Sequence, residues 1–264
     1  MEAPISVPLV NLVAVIAMMI IGWIISLVQR NVTVVDTLWG LGFVLVASIT
    51  YWLGSGFPHR SLLVLTLTAA WGLRLAVYLT HRNWGQEEDH RYGSWRAQSG
   101  SSFWIVSLFK VFLLQAIFLW TISLVLQKAQ LSAAPNQLTL LDLTGVIVWT
   151  IGFIFEVVGD RQLARFKADP SNQGRVMDHG LWAWSRHPNY FGEFLIWWGF
   201  FIIALATPGG WWTLFSPVII TVVLLKLTGV PLTEAALKKR RPGYSEYIAR
   251  TSPFFPRPPK KEAR

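Results

Sequence analysis

Residues 8–28 read PLVNLVAVIAMMIIGWIISLV, a run with no acidic or basic side chain. A helix rises 1.5 Å per residue, so about 20 such residues cross the roughly 30 Å of hydrocarbon in a bilayer. No basic residue precedes the run, and it is too long for a signal-peptide core, so it is expected to be retained as a span. Six further stretches follow the same pattern, at 35–53, 62–79, 103–126, 140–158, 191–206 and 211–225. The last two are short, and Pro208-Gly209-Gly210 between them predicts a tight hairpin. The whole chain agrees with this reading. Its 264 residues would allow two soluble domains at roughly 150 residues each, but 53% are hydrophobic, mean hydropathy is +0.44 and 14% are charged. About 25% charge is usual for a water-facing globule. Disordered and fibrous classes are excluded on the same grounds. Much of the tryptophan, 15 residues in all, flanks the apolar runs, as interfacial anchors do. The expected fold is an all-α polytopic bundle of about seven transmembrane helices, a single transmembrane domain over 1–264. Cysteine is absent, which removes disulfides and thiolate metal sites.

The net charge of +9 would also suit nucleic acid, but the basic residues lie between apolar runs, and that placement is a topology signal. With the N-terminus outside, the inner segments hold Arg30; Arg82, Arg91 and Arg96; Arg161, Arg165, Lys167, Arg175 and Arg186; and nine more after Lys226, whereas the outer segments hold only Arg60 and Lys128. The positive-inside bias therefore predicts a cytoplasmic C-terminus, in the inner or cell membrane if the source is bacterial. The segments 80–102 and 159–190 and the tail from 231 are then expected to be cytoplasmic loops, with the site opening to that side.

Charges within spans are costly and usually face a cavity or a partner. Asp36, Arg74, Lys110, Glu156, Glu193 and Lys226 all fall on the predicted cytoplasmic half, and Asp142 is the exception. Lys110 and Lys226 are long enough to snorkel to the interface. Asp36, Arg74 and Glu193 are harder to rescue and point to a polar cavity.

Residues 160–193 read DRQLARFKADPSNQGRVMDHGLWAWSRHPNYFGE. Read as a loop, the segment gathers Arg161, Arg165, Lys167, Arg175 and Arg186 with Asn172, Asn189 and Tyr190, a density of forked and amide donors suited to phosphate or carboxylate. Contact with anionic lipid is the plainer alternative. A sixth helix starting near Ser185 would put Arg186, Asn189, Tyr190 and Glu193 on one face.

The run Asp160-Arg-Gln through Phe166-Lys167, then Gly180-Leu-Trp, then Ser185-Arg-His-Pro-Asn-Tyr-Phe-Gly-Glu193, resembles the C-terminal region of the membrane steroid 5α-reductases and the Δ14- and Δ7-sterol reductases. The match is nearest to a related bacterial branch described as a domain of unknown function (1295 type). The tail, with Glu234, Lys238-Lys-Arg-Arg-Pro-Gly-Tyr244-Ser-Glu-Tyr247 and Ser-Pro-Phe-Phe-Pro256, is similar to the ending of the same family. The resemblance covers about 140–256 well and 36–95 more loosely. It implies an NADPH-dependent reductase whose cofactor enters from the cytoplasm among the last helices. Asp160, Arg165, Lys167, Asn172, Arg175, Arg186, His187, Asn189, Tyr190 and Glu193 match cofactor-contacting stretches, and Glu234, Tyr244 and Tyr247 match the tail stretch. No GxGxxG follows a strand, which excludes a Rossmann site. Hydride transfer needs no metal, and His81, His90, His179 and His187 show no HxxxH or HExxH spacing.

Reducing a conjugated C=C takes hydride at one carbon and a proton donor or electrophile at the other end of the enone. The 5α-reductases use a Glu on the second span and a Tyr on the third. Here the comparable spans offer Asp36 with Trp39, then Trp71, Arg74 and Tyr78, with Trp71 falling where the Tyr is expected. Tyr78 stands one turn from Arg74 and could replace it, so Asp36, Arg74 and Tyr78 are the candidate catalytic groups. Tyr78 as an interfacial aromatic and Asp36 as a helix-end residue are the plainer alternatives. The segment HRNWGQEEDHRYGSWR, 81–96, could cap the cofactor through Arg82, Asp89, Arg91 and Tyr92, or lie along the membrane surface. Two other functions stay open. Isoprenylcysteine and phospholipid methyltransferases, which use S-adenosylmethionine, share the RHP-x-Y-x-G stretch, although they have less need of so many Arg side chains. A non-catalytic lipid-binding protein would leave Asp36, Arg74 and Glu193 without a shared purpose. The expected substrate is a lipophilic small molecule, a steroid-like enone or another unsaturated lipid. Membrane lipid is the surrounding partner, no nucleic acid is implied, and a monomer satisfies the pattern.

Overall fold

The computed structural model describes residues 6–227 and 229–259, side chains excepted at 239 and 240. Among the described residues the regular elements are all helical, with no strand. In order it forms α1 (Val7–Gln29), α2 (Val34–Leu53), α3 (Pro58–Asn83), α4 (His90–Ser99), α5 (Phe103–Ser107), a π-helical stretch (Leu108–Leu113), α6 (Leu114–Leu131), α7 (Leu140–Ala168), α8 (Pro188–Leu205), α9 (Phe215–Val222), a second π stretch (Val223–Leu227), α10 (Val230–Arg240) and α11 (Tyr244–Arg250). Seven helical segments are long and apolar enough to cross a membrane. Pro at the first turn helps start α1, α3 and α10, where its missing N–H costs nothing. Gly209, at φ 71°, makes the expected turn before the last span.

The chain divides into two compact units, one of residues up to 139 with 204–213, the other of 140–203 with 214 onward. In the first, α1, α2, α3 and α6 bury Val15, Met19, Phe43, Val46, Trp71 and Leu119. Glycine brings α2 and α3 together: a Cβ on Gly40 would stand 2.5 Å from the Gly72 carbonyl oxygen, and one on Gly72 2.7 Å from that of Gly40. Small residues permit this approach, and in a bilayer such packing replaces the hydrophobic drive available in water. Arg60 is fully buried and donates to the carbonyls of Pro135 at 3.1 Å and Gln137 at 2.8 Å, fixing the start of α3 to the 135–137 loop. Trp52, Trp84, Trp104 and Trp211 are exposed near helix ends.

In the second unit α7 and α8 cross on two glycine pairs. A Cβ on Gly152 would meet the Gly192 carbonyl at 2.6 Å, and one on Gly145 would meet that of Gly199 at 2.7 Å. The pairs run in opposite chain directions at a seven-residue spacing, the period of an antiparallel left-handed seam.

Three sequence expectations change. First, α7 continues through Asp160–Lys167 to Ala168, so the start of the supposed loop 160–193 is helix. A charged run ends the apolar part of a helix, but its backbone bonds continue wherever propensity allows. Second, α8 starts at Pro188, so Arg186 and His187 precede the helix and only Asn189, Tyr190 and Glu193 lie on it. Third, 81–96 is mostly the end of α3 and the beginning of α4, and the tail from 231 is largely α10 and α11.

Candidate functional site

In the first unit the polar groups gather where α2 begins and α3 ends. Asp36, in the first turn of α2, has the Arg82 guanidinium at 3.6 Å and the Asn83 amide at 3.5 Å. Arg82 also lies over the Tyr78 ring, 6.0 Å from its centroid, and Arg74 over the same ring at 5.1 Å. Asp36, Arg74, Tyr78 and Arg82 thus form one chain of contacts on two helices. Asp89 caps α4 through the Arg91 amide at 2.9 Å and pairs with the Arg91 side chain at 2.9 and 3.0 Å. Its own N–H donates to Thr33 Oγ1 at 3.0 Å, which brings α4 to the start of α2. Arg91 and Tyr92 lie close enough to Asp36 to interact with it electrostatically.

Sequence reasoning passed over the clamp beside this group. Glu88 accepts two bonds from Arg96, at 2.8 and 2.7 Å, and one from the Val32 amide at 2.8 Å. Burial alone would raise the Glu88 carboxyl. The Arg96 and Val32 hydrogen bonds and the Arg96 charge outweigh it and hold the group below the usual carboxylate range. Asp89 is likewise lowered: burial opposes ionisation, but the Arg91 bonds and charge prevail. Both carboxylates are therefore ionised at neutral pH and tie the α1–α2 turn to the start of α4.

In the second unit Asp160, almost fully buried, accepts from Asn189 Nδ2 at 3.1 Å across the α7–α8 seam. Glu193, one turn beyond Asn189, interacts electrostatically with Asp160. Next to this cluster, 185–187 forms a clasp with the C-terminal segment. Arg186 Nε donates to Glu234 Oε1 at 2.8 Å, and its Nη1 donates to the carbonyls of Ile248 at 3.1 Å and Thr251 at 3.0 Å. The Arg186 amide bonds Ser252 O at 2.9 Å, and Ser185 Oγ bonds Phe254 O at 2.7 Å. His187 Nε2 sits 3.3 Å from Glu234 Oε1. Its ring stacks on Tyr190, centroids 5.3 Å apart and planes within 2°, and Tyr190 Oη reaches Thr233 Oγ1 at 3.3 Å. Burial lowers the His187 pKa, and the Arg186 charge adds to that, while Glu234 opposes it. Tyr247 Oη donates to Trp182 O at 2.6 Å, and burial, with Tyr244 and Asp178 adding to it, raises its pKa. Tyr244 is pushed up to about 12, by burial first and then by Glu234. Among the described residues its buried Oη has no hydrogen-bond partner.

A cleft of about 300 Å³ opens at the polar end of α7, lined by Phe166, Lys167, Asp169, Asn172, Gln173 and Arg241 among others. Lys167 and Asn172 were expected in a cofactor site. Arg241 was not singled out, although it closes the Lys238-Lys-Arg-Arg run; only the packing of α10 against the second π stretch and α11 shows where that run leads. Arg165 and Arg175 are exposed and do not line the cleft, although the charge of Arg175 reaches Asp169 at its rim. Among the described residues, no group of three or more His, Asp or Glu is placed to hold a metal ion.

An uncharacterized protein of Schizosaccharomyces pombe is 28% identical over 270 residues, an alignment covering 89% of this chain and 75% of the yeast protein. No solved structure matches. The family model described as a protein of unknown function, DUF1295, matches residues 22–251. The chain belongs to that family, which is related to steroid 5α-reductase-like proteins.

Proposed function

We propose that the chain is an NADPH-dependent membrane reductase that saturates a C=C bond of a lipophilic substrate, a steroid-like enone or another unsaturated lipid. The observation that carries this reading is the pair of polar features on one stretch of α7. The Asp160–Asn189–Glu193 cluster, built on the buried Asp160, and the cleft with Lys167, Asn172 and Arg241 are seven residues apart on the helix, about 10 Å along its axis. Carboxylates and an amide suit the hydroxyls and carboxamide of a nucleotide cofactor, and the cations suit its phosphates. The donor set therefore fits NADPH, whose chemistry when bound is hydride donation.

The other roles fall to the chain. Lys167 and Arg241 hold anionic oxygens. Asp160 fixes the Asn189 amide so that its remaining donor and its carbonyl present a defined pattern. Arg186 is largely committed to Glu234 and two carbonyls, so its main role is to position the clasp that carries His187. In the first unit Asp36 and Tyr78 handle the proton that goes to the carbon, or enolate oxygen, opposite the hydride, and Arg74 and Arg82 orient the Tyr78 ring. In this reading the positive-inside bias puts the N-terminus outside and the polar ends of α3, α7 and α10 toward the cytoplasm.

Titration of the purified full chain in detergent with NADPH, NADH and S-adenosylmethionine tests the reading. NADPH is expected to bind most tightly. Lys167→Ala and Arg241→Ala should each weaken it by roughly 10- to 150-fold, the worth of one charge-assisted contact. Equal binding of NADH would remove the 2′-phosphate from the reading, and binding of S-adenosylmethionine without NADPH would replace the reductase with a methyltransferase.

A further inference from the structure

The first unit carries a second polar cluster, at the end remote from Asp36. Asn11, fully buried near the start of α1, donates through Nδ2 to Thr50 Oγ1 at 2.8 Å and to Gln127 Oε1 at 3.0 Å. Gln127 Nε2 donates to Ser123 Oγ at 3.0 Å. The hydroxyls of Thr50 and Ser123 are spent on carbonyls of their own helices, Val46 and Trp120, both at 2.7 Å. Gln130, also fully buried, donates to Ala47 O at 3.0 Å and Ser61 O at 3.2 Å. Thr50 lies 14 residues beyond Asp36 on α2, about 21 Å along the helix.

These partners fix the amide orientations. Turning Gln130 over would point its oxygen at two carbonyls, so its assignment does not rest on a choice between N and O, and turning Asn11 over by itself would point its oxygen at Gln127 Oε1. The acceptors Asn11 Oδ1 and Gln130 Oε1 are left with no hydrogen-bond partner among the described residues. A third such atom, Thr68 Oγ1, lies two turns from Ser61 on the buried face of α3. Interhelical glue alone would need matched groups. Unmatched buried acceptors instead call for a ligand that donates.

The charge of that ligand follows from its surroundings. An anion would face the unmatched oxygens of two amides, which repel it. A metal cation would sit near the buried Arg60 guanidinium, adjacent in the chain to Ser61, with no carboxylate among these residues to offset the repulsion. A neutral O–H donor remains. We propose that this cluster is a hydration site that holds ordered water on Asn11 Oδ1 and Gln130 Oε1, with a further water on Thr68 Oγ1. Water thereby enters the spanning bundle from the face where α1 begins.

A lipophilic alcohol offers the same O–H chemistry, and a density map of the full chain in phosphatidylcholine nanodiscs, free of sterol and added alcohol, separates the two. Compact peaks within hydrogen-bond distance of Asn11 Oδ1 and Gln130 Oε1 are expected. Elongated density there, or none at a resolution that shows other waters, would overturn the proposal. Thr68→Val supplies an independent readout, because it removes the hydroxyl without changing the shape. If the hydroxyl is hydrated, the variant unfolds at a lower temperature than the parent. If the site is dry, deleting an unmatched hydroxyl raises the unfolding temperature, and the water on Thr68 is refuted.

Discussion

Arg186→Ala probes the contact that anchors the C-terminal segment in the second unit. Arg186 is 8% exposed and spends Nε on Glu234 and Nη1 on two backbone carbonyls. The bond to Glu234 is charge-assisted, worth about 1.5–3 kcal/mol, and breaking a buried pair by removing one partner costs about 3–5 kcal/mol. Glu234 keeps His187 and, at 14% side-chain exposure, some water, so the penalty falls inside that range and not above it. At about 2–4 °C per kcal/mol for domains of 150–250 residues, unfolding should drop by roughly 6–20 °C. The tail is otherwise held to this segment by the Arg186 amide, Ser185, Tyr247 and the Arg257 amide, so it should loosen first. Trypsin would then cut at Arg250 before the helices unfold. Arg186→Lys should fall between parent and alanine, because an ammonium can meet Glu234 but cannot span Glu234 and two carbonyls at once. Unfolding within about 2 °C of the parent with unchanged tail protection would refute the clasp. Arg186 would then be free for the anion-binding role that its sequence context suggests.

Because burial holds His187 below its ordinary pKa, its contribution to stability is complete above about pH 6.5 and is lost as pH falls through the lower folded value. His187→Gln should flatten that acid limb in a pH series of unfolding temperatures, and an unchanged slope would remove His187 as its cause. Gly192→Val places a Cβ 2.5 Å from the Glu156 amide and the Gly152 carbonyl, backbone that cannot yield, so a loss of at least about 1–3 kcal/mol is expected. Gly93→Ala meets nothing within 4 Å in α4 and should be neutral or stabilising by up to about 1 kcal/mol in the same thermal assay. For topology, reporter fusions after Gly54 and Asn136 should read outside and those after Ser99 and Asp178 inside; a protected Ser99 fusion would reverse the orientation.

The spans were legible because the bilayer imposes one condition on every crossing segment, about 20 apolar residues as helix, and the seven predicted runs overlie the seven helical segments, among the described residues, that are long and apolar enough to cross. Helix ends were less legible. The charges at Asp160, Arg161, Arg165 and Lys167 mark where apolar surface stops, and that is a different boundary from the one at Ala168, where backbone hydrogen bonding stops. The local pairing of Arg74 with Tyr78 followed from helical spacing, and the structure places the guanidinium over that ring. The meeting of Asp36 with Arg82 and Asn83 spans more than forty residues of chain, and no periodicity reports it.

Composition and spacing by themselves determined the membrane class, the number of long apolar helical segments and the segments that hold polar chemistry, because these depend on local hydrophobicity and the helical repeat. The tertiary structure decided which partner each charge meets. A guanidinium satisfies a ligand's phosphate, a carboxylate or a row of carbonyls equally well, and in Arg186 it was the arrival of Glu234 and the 248–252 segment that settled the matter. The glycines at 145, 152, 192 and 199 show their seven-residue spacing in the sequence. Only the α7–α8 crossing reveals that each one makes room for the backbone of another, since close approach is a property of two helices together.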